Sequence, residues 1–297
     1  MRPRNDPRVG PACGLVGAVL LAFAGGVPAG SGAGARVQVT TIAYYEGPGA
    51  DPAKHRLDLF RQEGKTGVPV LIFFHGGVWQ QGDKSEYRNI GEAFAARGIL
   101  TAVANYRLTP AVRHPEHVRD AARAVAWMTR HAAEFGGRPD RVVLSGHSAG
   151  GHLVALLLFD PRYLRAEGVD PEGLGGVIPL SGIFDLTRPI DDSPEGGFAR
   201  FIYPPFGEDR GGLEAASPTQ YLHATHVPLL IVLAGEDYKD MQAQSRRFAE
   251  ALKARGVQVR FETVPGRGHF ELVQAIGTKG DPTTDLIARF LLGGAGR

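Results

Sequence analysis

The sequence predicts an α/β fold, with a mostly parallel central sheet flanked by helices. From Val37 onward, short β-rich runs alternate with longer amphipathic stretches, an order that favours parallel strands joined by right-handed helical crossovers. Several runs are continuously apolar, among them VPVLIFF at 68–74 and VPLLIVLA at 227–234. Such runs are typical of central strands that are buried on both faces of a sheet.

The individual elements follow from these patterns. The β-rich runs predict strands at Val37–Tyr45, Arg56–Phe60, Val68–Phe74, Leu100–Ala104, Arg141–Ser145, Gly176–Leu180, Pro228–Ala234 and Gln258–Val264. The apolar residues at helical spacing predict helices at Ser85–Arg97, Pro115–Phe135, Ser148–Phe159, Met241–Arg255 and Pro282–Leu292. Gly98 and Gly256 follow two of these helices directly, where a glycine commonly ends a helix.

One segment, Gly182–Ala224, departs from this alternation. It is rich in proline, glycine, aspartate and aromatic residues, and no long periodic pattern runs through it. A loop of this length inside a compact domain is uncommon unless it is functional. We therefore expect a short irregular lid, whose aromatic residues pack the lid or line a substrate wall.

The first 35 residues have the order of a secretory signal peptide. Three arginines precede the eleven-residue apolar run Gly14–Ala24, and a small-residue tract ends in AGA at 33–35. The apolar run is too short to span a bilayer, so no stable membrane anchor is expected. We expect residues 1–35 to be removed, together with the only cysteine, Cys13, and residues 36–297 to form a secreted or periplasmic catalytic domain.

The composition excludes some partners. The 33 basic and 31 acidic residues nearly cancel, so the sequence indicates no nucleic-acid partner. The oligomeric state cannot be predicted from it.

A serine flanked by glycines stands where a predicted strand passes into a predicted helix. The motif GHSAG at 146–150 follows the run at 141–145 and precedes an apolar helical pattern. This context is typical of the nucleophile elbow, which exposes the serine on a tight turn. Side chains at Gly146 or Gly150 would clash there, and the helix start favours negative charge that develops near Ser148. The alternative is an ordinary tight turn.

A serine nucleophile needs a general base, which we expect to be a histidine oriented by a carboxylate. Of the ten histidines, His269 follows the last predicted strand after a glycine-rich turn and can reach across the sheet edge. His147 is expected to point away from the turn, and His152 to lie on the helix. The others are expected in loops or on exposed helix faces: His55, His114, His117, His131, His223 and His226. No two of them form a metal-ligand pair with a carboxylate, so no metal is expected.

The carboxylate is expected directly after the strand Pro228–Ala234. Three acidic residues stand there, and we favour Asp237, with Asp240 second and Glu236 third.

An oxyanion hole is predicted after the strand that ends in FFHGG. Gly76 and Gly77 can turn backbone N–H groups toward a carbonyl oxygen, and the N–H of Ala149 would complete the set. Such donors are effective because they are fixed before the charge develops, and losing one costs about 10²–10³ in rate. An ordinary turn at His75–Gly77 is the alternative.

Together these motifs resemble the α/β-hydrolase superfamily. They are His75-Gly76-Gly77-Val78-Trp79, Asn105-Tyr106-Arg107-Leu108, GHSAGG at 146–151, Asp237 with Gln244-Ser245 downstream, and Gly268-His269-Phe270. The chain is most similar to the esterase/lipase-like branch with an HGG motif, which includes carboxylesterases, feruloyl-esterase-like proteins and kynurenine formamidases. The resemblance covers roughly Tyr44 to the C terminus. It implies the α/β-hydrolase fold, in which nucleophile, acid and base follow one another in this order along the chain.

The function that this predicts is a serine hydrolase that cleaves a small-molecule carboxylic ester through an acyl-enzyme, without a cofactor. Ser148 would attack, His269 would shuttle the proton, and Asp237 would hold the imidazole. HGGVWQ is close to the kynurenine-formamidase motif, with Val78 where an aromatic is common, so an arylformamidase is an alternative. A prolyl-oligopeptidase-type peptidase is disfavoured because no propeller-sized domain precedes the hydrolase region. A non-catalytic binding protein on a hydrolase fold is the alternative from another class.

Overall fold

A single mixed sheet organises the part of the chain that the computed structural model describes, residues 36–188 and 198–293. Its strands are β1 (Val37–Ala43), β2 (Arg56–Gln62), β3 (Val68–Phe74), β4 (Leu100–Ala104), β5 (Gly137–His147), β6 (Gly176–Leu180), β7 (Leu229–Ala234) and β8 (Val259–Val264). They are ordered β1-β2-β4-β3-β5-β6-β7-β8, and only the pairs β1–β2 and β2–β4 are antiparallel. The predicted mostly parallel sheet is confirmed.

Helices cover both faces of the sheet. They are α1 (Arg88–Ala95), α2 (Glu116–His131), α3 (Ala149–Phe159), α4 (Pro161–Ala166), α5 (Ala199–Phe206), α6 (Arg210–Ala215), α7 (Lys239–Lys253), α8 (Glu271–Gln274) and α9 (Pro282–Gly293). Short 3₁₀ helices occupy Lys84–Tyr87, Ala132–Phe135, Pro171–Gly173 and Pro218–Tyr221.

Two apolar cores result from this layering, one on each face. Neighbouring residues of β3 point to opposite faces, so Ile72 belongs to one core and Phe73 to the other. The first core contains Leu153 of α3, and the second contains Phe94 of α1. All of α3 is buried, which explains why its sequence is apolar on every side. The parallel strands β3, β5, β6 and β7 therefore end at the same edge of the sheet. The two packed cores hold these strand ends in place.

The predicted lid segment, Gly182–Ala224, contains α5, α6 and a 3₁₀ helix in its described part. Ile202 of α5 and Leu213 of α6 are buried in the first core, and Phe184 stacks on Phe248 with ring centroids 4.0 Å apart. α6 has only six residues, and α5 carries Pro204 and Pro205 inside its eight, so no clear helical periodicity marks either of them. Residues 189–197 lie outside the described part, and the lid role stays a prediction.

The predicted signal segment, residues 1–35, also lies outside the described residues, as do residues 294–297. Within the described ranges, no helix combines the length and apolar character needed to cross a membrane.

Candidate active site

The turn between β5 and α3 consists of Ser148 alone. Its backbone has φ 54° and ψ −113°, a region that non-glycine residues rarely occupy and that costs free energy. The Ser148 N–H donates to the Leu180 carbonyl oxygen of β6 over 3.0 Å, which ties the turn to the neighbouring strand. The residue is 6% exposed. The nucleophile candidate is thus held in one strained conformation at the carboxyl edge of the sheet.

The two glycines of the elbow have the spatial role that the sequence predicts. A Cβ atom at Gly146 would overlap the backbone of Gly150, and one at Gly150 would overlap the carbonyl oxygen of Phe74. Gly151, the next residue, is similarly confined, since its Cβ would lie 2.8 Å from the Gly182 Cα. Side chains cannot be accommodated at these positions unless the backbone moves.

His269 and Asp237 form a buried pair. The His269 Nδ1 lies 2.8 Å from the Asp237 Oδ1, and the two side chains are 8% and 0% exposed. The same Oδ1 accepts the Tyr238 N–H over 2.8 Å, so the carboxylate is oriented from two sides. The Asp237 Oδ1 only accepts, so the proton of this bond is carried by the His269 Nδ1.

The competing acids stand apart from this pair. Asp240 lies in the first turn of α7, and Glu236 is exposed, with its N–H donating to the Arg267 carbonyl oxygen. Among the residues that the structure describes, neither carboxylate bonds to His269. The geometry thus pairs the histidine with Asp237.

The oxyanion loop requires one revision. The Gly76 N–H, expected as an oxyanion donor, donates instead to the Tyr87 hydroxyl over 3.1 Å. By contrast, the N–H groups of Gly77, Val78 and Ala149 find no acceptor within residues 36–188 and 198–293. Gly77 and Val78 both have positive φ, 110° and 49°. Successive residues in this conformation can point their N–H groups toward one common site. Val78 therefore replaces Gly76 as the candidate donor.

His75 and Trp79 anchor the turn at Gly76–Val78 by packing into the protein interior. His75 stacks on Tyr106 with ring centroids 4.4 Å apart, and burial lowers its pKa to about 4. Trp79 is fully buried, with its ring edge-on to His152 at 4.9 Å and to Phe206 at 4.7 Å. The two side chains hold the turn in the protein interior.

His147, which is expected to point away from the turn, contacts the loop that carries His269. Its ring lies 4.6 Å from that of His269, and its Nε2 is 2.9 Å from the His269 carbonyl oxygen. No local pattern in the sequence signals this contact, because the two residues are 122 positions apart.

His117 is expected on an exposed helix face, but it lies on the buried face of α2, whereas His55 lies in a loop before β2, as predicted, and is also buried. His55 and His117 are each 1% exposed. The His55 Nε2 lies 2.9 Å from the Asp120 Oδ1, and the His117 Nε2 lies 3.2 Å from the Thr109 hydroxyl. Polar partners inside the fold make these burials possible. Both histidines are structural.

A cavity of about 320 Å³ opens beside the oxyanion turn. Its lining is mostly polar and includes Gly76, Gly77, Gln81, Glu86, Tyr87 and Phe270. In the described part of the chain, no group of three or more His, Cys, Asp or Glu side chains could hold a metal ion.

Known proteins are similar to this chain in sequence. An isoprenylcysteine alpha-carbonyl methylesterase from Arabidopsis thaliana is 29% identical over 235 residues, which are 75% of this chain and 55% of that protein. Esterase LipC from Mycobacterium tuberculosis is 32% identical over 267 residues, 82% of this chain and 63% of that protein. The chain thus spans less than two thirds of the length of either relative.

Solved structures extend the comparison. Esterase 2 from Thermogutta terrifontis, solved as its adduct with tabun, superimposes with a TM-score of 0.68 and 27% identity over 88% of this chain and 95% of that one. Esterase B from Lactobacillus rhamnosis, at 20% identity and a TM-score of 0.73, shares the fold. The structural neighbours are α/β-hydrolases, as the sequence predicts. The family model BD-FAE matches residues 57–252, from β2 to the end of α7. This chain therefore belongs to the BD-FAE family.

Proposed function

We propose that the protein is a carboxylic ester hydrolase that uses Ser148 as nucleophile, His269 as general base and Asp237 as the orienting acid. The proposal is carried by the buried His269–Asp237 hydrogen bond of 2.8 Å, together with a serine held in a strained elbow at the carboxyl edge of the sheet. A carboxylate fixes the imidazole in the tautomer whose Nε2 can accept a proton. The esterases among the relatives and structural neighbours support the reaction class.

The first half of the reaction forms an acyl-enzyme. His269 Nε2 takes the Ser148 proton while Oγ attacks the ester carbonyl, and it then returns that proton to the departing alkoxide. The described residues contain no hydrogen bond between Ser148 and His269. In unliganded hydrolases such bonds are commonly long and tighten when substrate binds. In the second half, water attacks the acyl group with the same histidine as base.

The tetrahedral intermediate requires donors for its oxygen. The N–H groups of Gly77, Val78 and Ala149 are proposed for this role because they have no partner among the described residues. Ala149 is the first residue of α3, so the partial positive charge of that helix start adds to its donor. Fixed donors of this kind need no reorganisation when charge develops.

Short acyl groups are the proposed substrates. Esterase 2 from Thermogutta terrifontis has been solved with propionate and with butyrate bound, at 26% and 27% identity to this chain. We also propose that residues 1–35 direct export, so that the esters are met outside the cytoplasm.

The test combines labelling with turnover. A fluorophosphonate should label wild type on Ser148 and should not label Ser148→Ala. Turnover of p-nitrophenyl esters from acetate to decanoate should be highest at acetate to butyrate. N-Formylkynurenine should be turned over far more slowly than p-nitrophenyl acetate, whereas the reverse preference would favour the arylformamidase. Equal labelling of wild type and Ser148→Ala would overturn the nucleophile assignment.

A further inference from the structure

A continuous chain of hydrogen bonds joins the oxyanion loop to the loop of the general base. The Gly76 N–H donates to the Tyr87 hydroxyl over 3.1 Å. That hydroxyl lies 3.2 Å from the His147 Nδ1. The His147 Nε2 lies 2.9 Å from the His269 carbonyl oxygen. This series of hydrogen bonds therefore connects Gly76, which precedes the proposed donor Gly77, to the backbone of His269, the proposed base.

The direction of every bond in this chain is determined. The His269 carbonyl oxygen can only accept, so His147 must carry its proton on Nε2. Burial, together with the neighbouring His269, lowers the pKa of His147 far below its usual range and keeps the ring neutral, so Nδ1 is an acceptor. The Tyr87 hydroxyl must then donate to Nδ1, which leaves its oxygen free to accept the Gly76 N–H. One arrangement of protons satisfies all of these groups.

The packing leaves little room for another arrangement. His147 is fully buried, and Tyr87 is 9% exposed. A Cβ at Gly76 would lie 3.0 Å from the His147 Nδ1 and 3.2 Å from the Tyr87 hydroxyl oxygen, closer than most Cβ contacts. A side chain at position 76 would therefore force the His147 ring or the Tyr87 hydroxyl to shift by a few tenths of an ångström, out of the hydrogen-bonded positions.

We infer that Tyr87 and His147 are positioning residues that hold the oxyanion turn and the His269 loop at a fixed separation. This inference rests on the proposed function. Neither side chain is assigned a bond to substrate. The nucleophile attacks between these two parts of the site, and a displacement of about 1 Å at such a site can cost on the order of 100-fold in rate. A saturated buried chain of hydrogen bonds provides that rigidity, because each member is costly to leave unpaired.

The test compares variants by turnover per active serine. Tyr87→Phe removes the central hydroxyl, His147→Leu removes both imidazole bonds, and His147→Gln keeps an N–H that can donate toward the His269 carbonyl. Tyr44→Phe is the matched control, because it removes another buried tyrosine hydroxyl, one that donates to the Asn105 carbonyl oxygen outside the chain of bonds. The measurements are kcat for p-nitrophenyl butyrate per phosphonate-titrated site, and the melting temperature.

We expect Tyr87→Phe and His147→Leu each to lower kcat per site by about 10-fold or more, the equivalent of one lost buried hydrogen bond expressed in the transition state. His147→Gln should retain more turnover than His147→Leu. The double variant Tyr87→Phe/His147→Leu should be little slower than the slower single variant, because members of one network are not additive. Tyr44→Phe should stay within about twofold of wild type at a comparable loss of melting temperature. Unchanged kcat per site in both single variants, or fully additive losses, would overturn the inference.

A spectroscopic measurement separates this inference from the proposed function. If wild type neither reacts with the phosphonate nor hydrolyses esters, the proposed function fails, and ¹⁵N resonances of the histidine rings decide the inference alone. A neutral His147 protonated on Nε2, with an Nδ1 resonance that shifts in Tyr87→Phe, supports it. Protonation on Nδ1, or an Nδ1 resonance that Tyr87→Phe leaves unmoved, overturns it.

Discussion

Replacing Asp237 by asparagine should remove most of the turnover while leaving the fold intact. The Asp237 side chain is fully buried and bonds to the His269 Nδ1 over 2.8 Å. Asparagine keeps the shape but presents an N–H₂ group and no charge, so the imidazole can adopt the tautomer that carries its proton on Nε2. Such a substitution in a serine-protease triad lowers kcat by about 10⁴. At about 1.36 kcal/mol per tenfold, that is roughly 5 kcal/mol of transition-state stabilisation.

The assay is kcat for p-nitrophenyl butyrate at pH 8, with Asp240→Asn as the matched control. Asp240 is the neighbouring acid on α7, and among the described residues it makes no bond to His269. We expect Asp240→Asn to remain within a few-fold of wild type, as surface substitutions usually do. An Asp237→Asn variant that keeps a tenth of wild-type kcat, or an Asp240→Asn variant that loses as much as Asp237→Asn, would refute the assignment of the acid.

Three further predictions concern stability, each measured by urea unfolding. Ser148→Gly should be about 1 kcal/mol more stable than Ser148→Ala, because only glycine adopts φ 54° without strain; equal stabilities would contradict this. Asp120→Ala should cost about 3–5 kcal/mol, because it leaves Arg107 and His55 without their buried partner, and a loss under 1 kcal/mol would be inconsistent with that. Burial lowers the pKa of His152 to about 3, so the unfolded chain binds the extra proton below about pH 6.5. Wild-type stability should therefore fall as pH drops from 6.5 toward 4, and His152→Gln should flatten this fall.

Much of the fold could be predicted because its signals are local. The central strands are continuously apolar, and β3, β4 and β6 begin and end where the sequence predicts. The helices that were missed are short: α4 and α6 have six residues each, α8 has four, and α5 has eight with two prolines inside it. Periodicity needs more residues than that to separate a helix from a loop.

The candidate site shows the same division between local and distant signals. Ser148 and His269 each stand in a sequence context that the chemistry requires, so each could be proposed from local residues alone. The sequence favours Asp237 but leaves Asp240 open, because both follow β7 closely and the position of the His269 loop distinguishes them. The role of His147 depends on a contact 122 residues away, which no pattern near it encodes.

Strain and unpaired donors occur together around the oxyanion turn. Val78 and Trp79 both have positive φ, although one is β-branched and the other large, and such conformations cost about 1–3 kcal/mol each. The turn is fixed from both sides, since the Gly77 carbonyl oxygen accepts the N–H groups of Gln80 and Gln81, and the Trp79 carbonyl oxygen accepts that of Thr109. A backbone held this way presents N–H groups that no described residue accepts, which is itself unfavourable. In the proposed mechanism, the substrate carbonyl oxygen accepts these N–H groups as it gains negative charge. The unpaired donors are then satisfied most fully in the transition state, which is where an interaction must be strongest to accelerate the reaction.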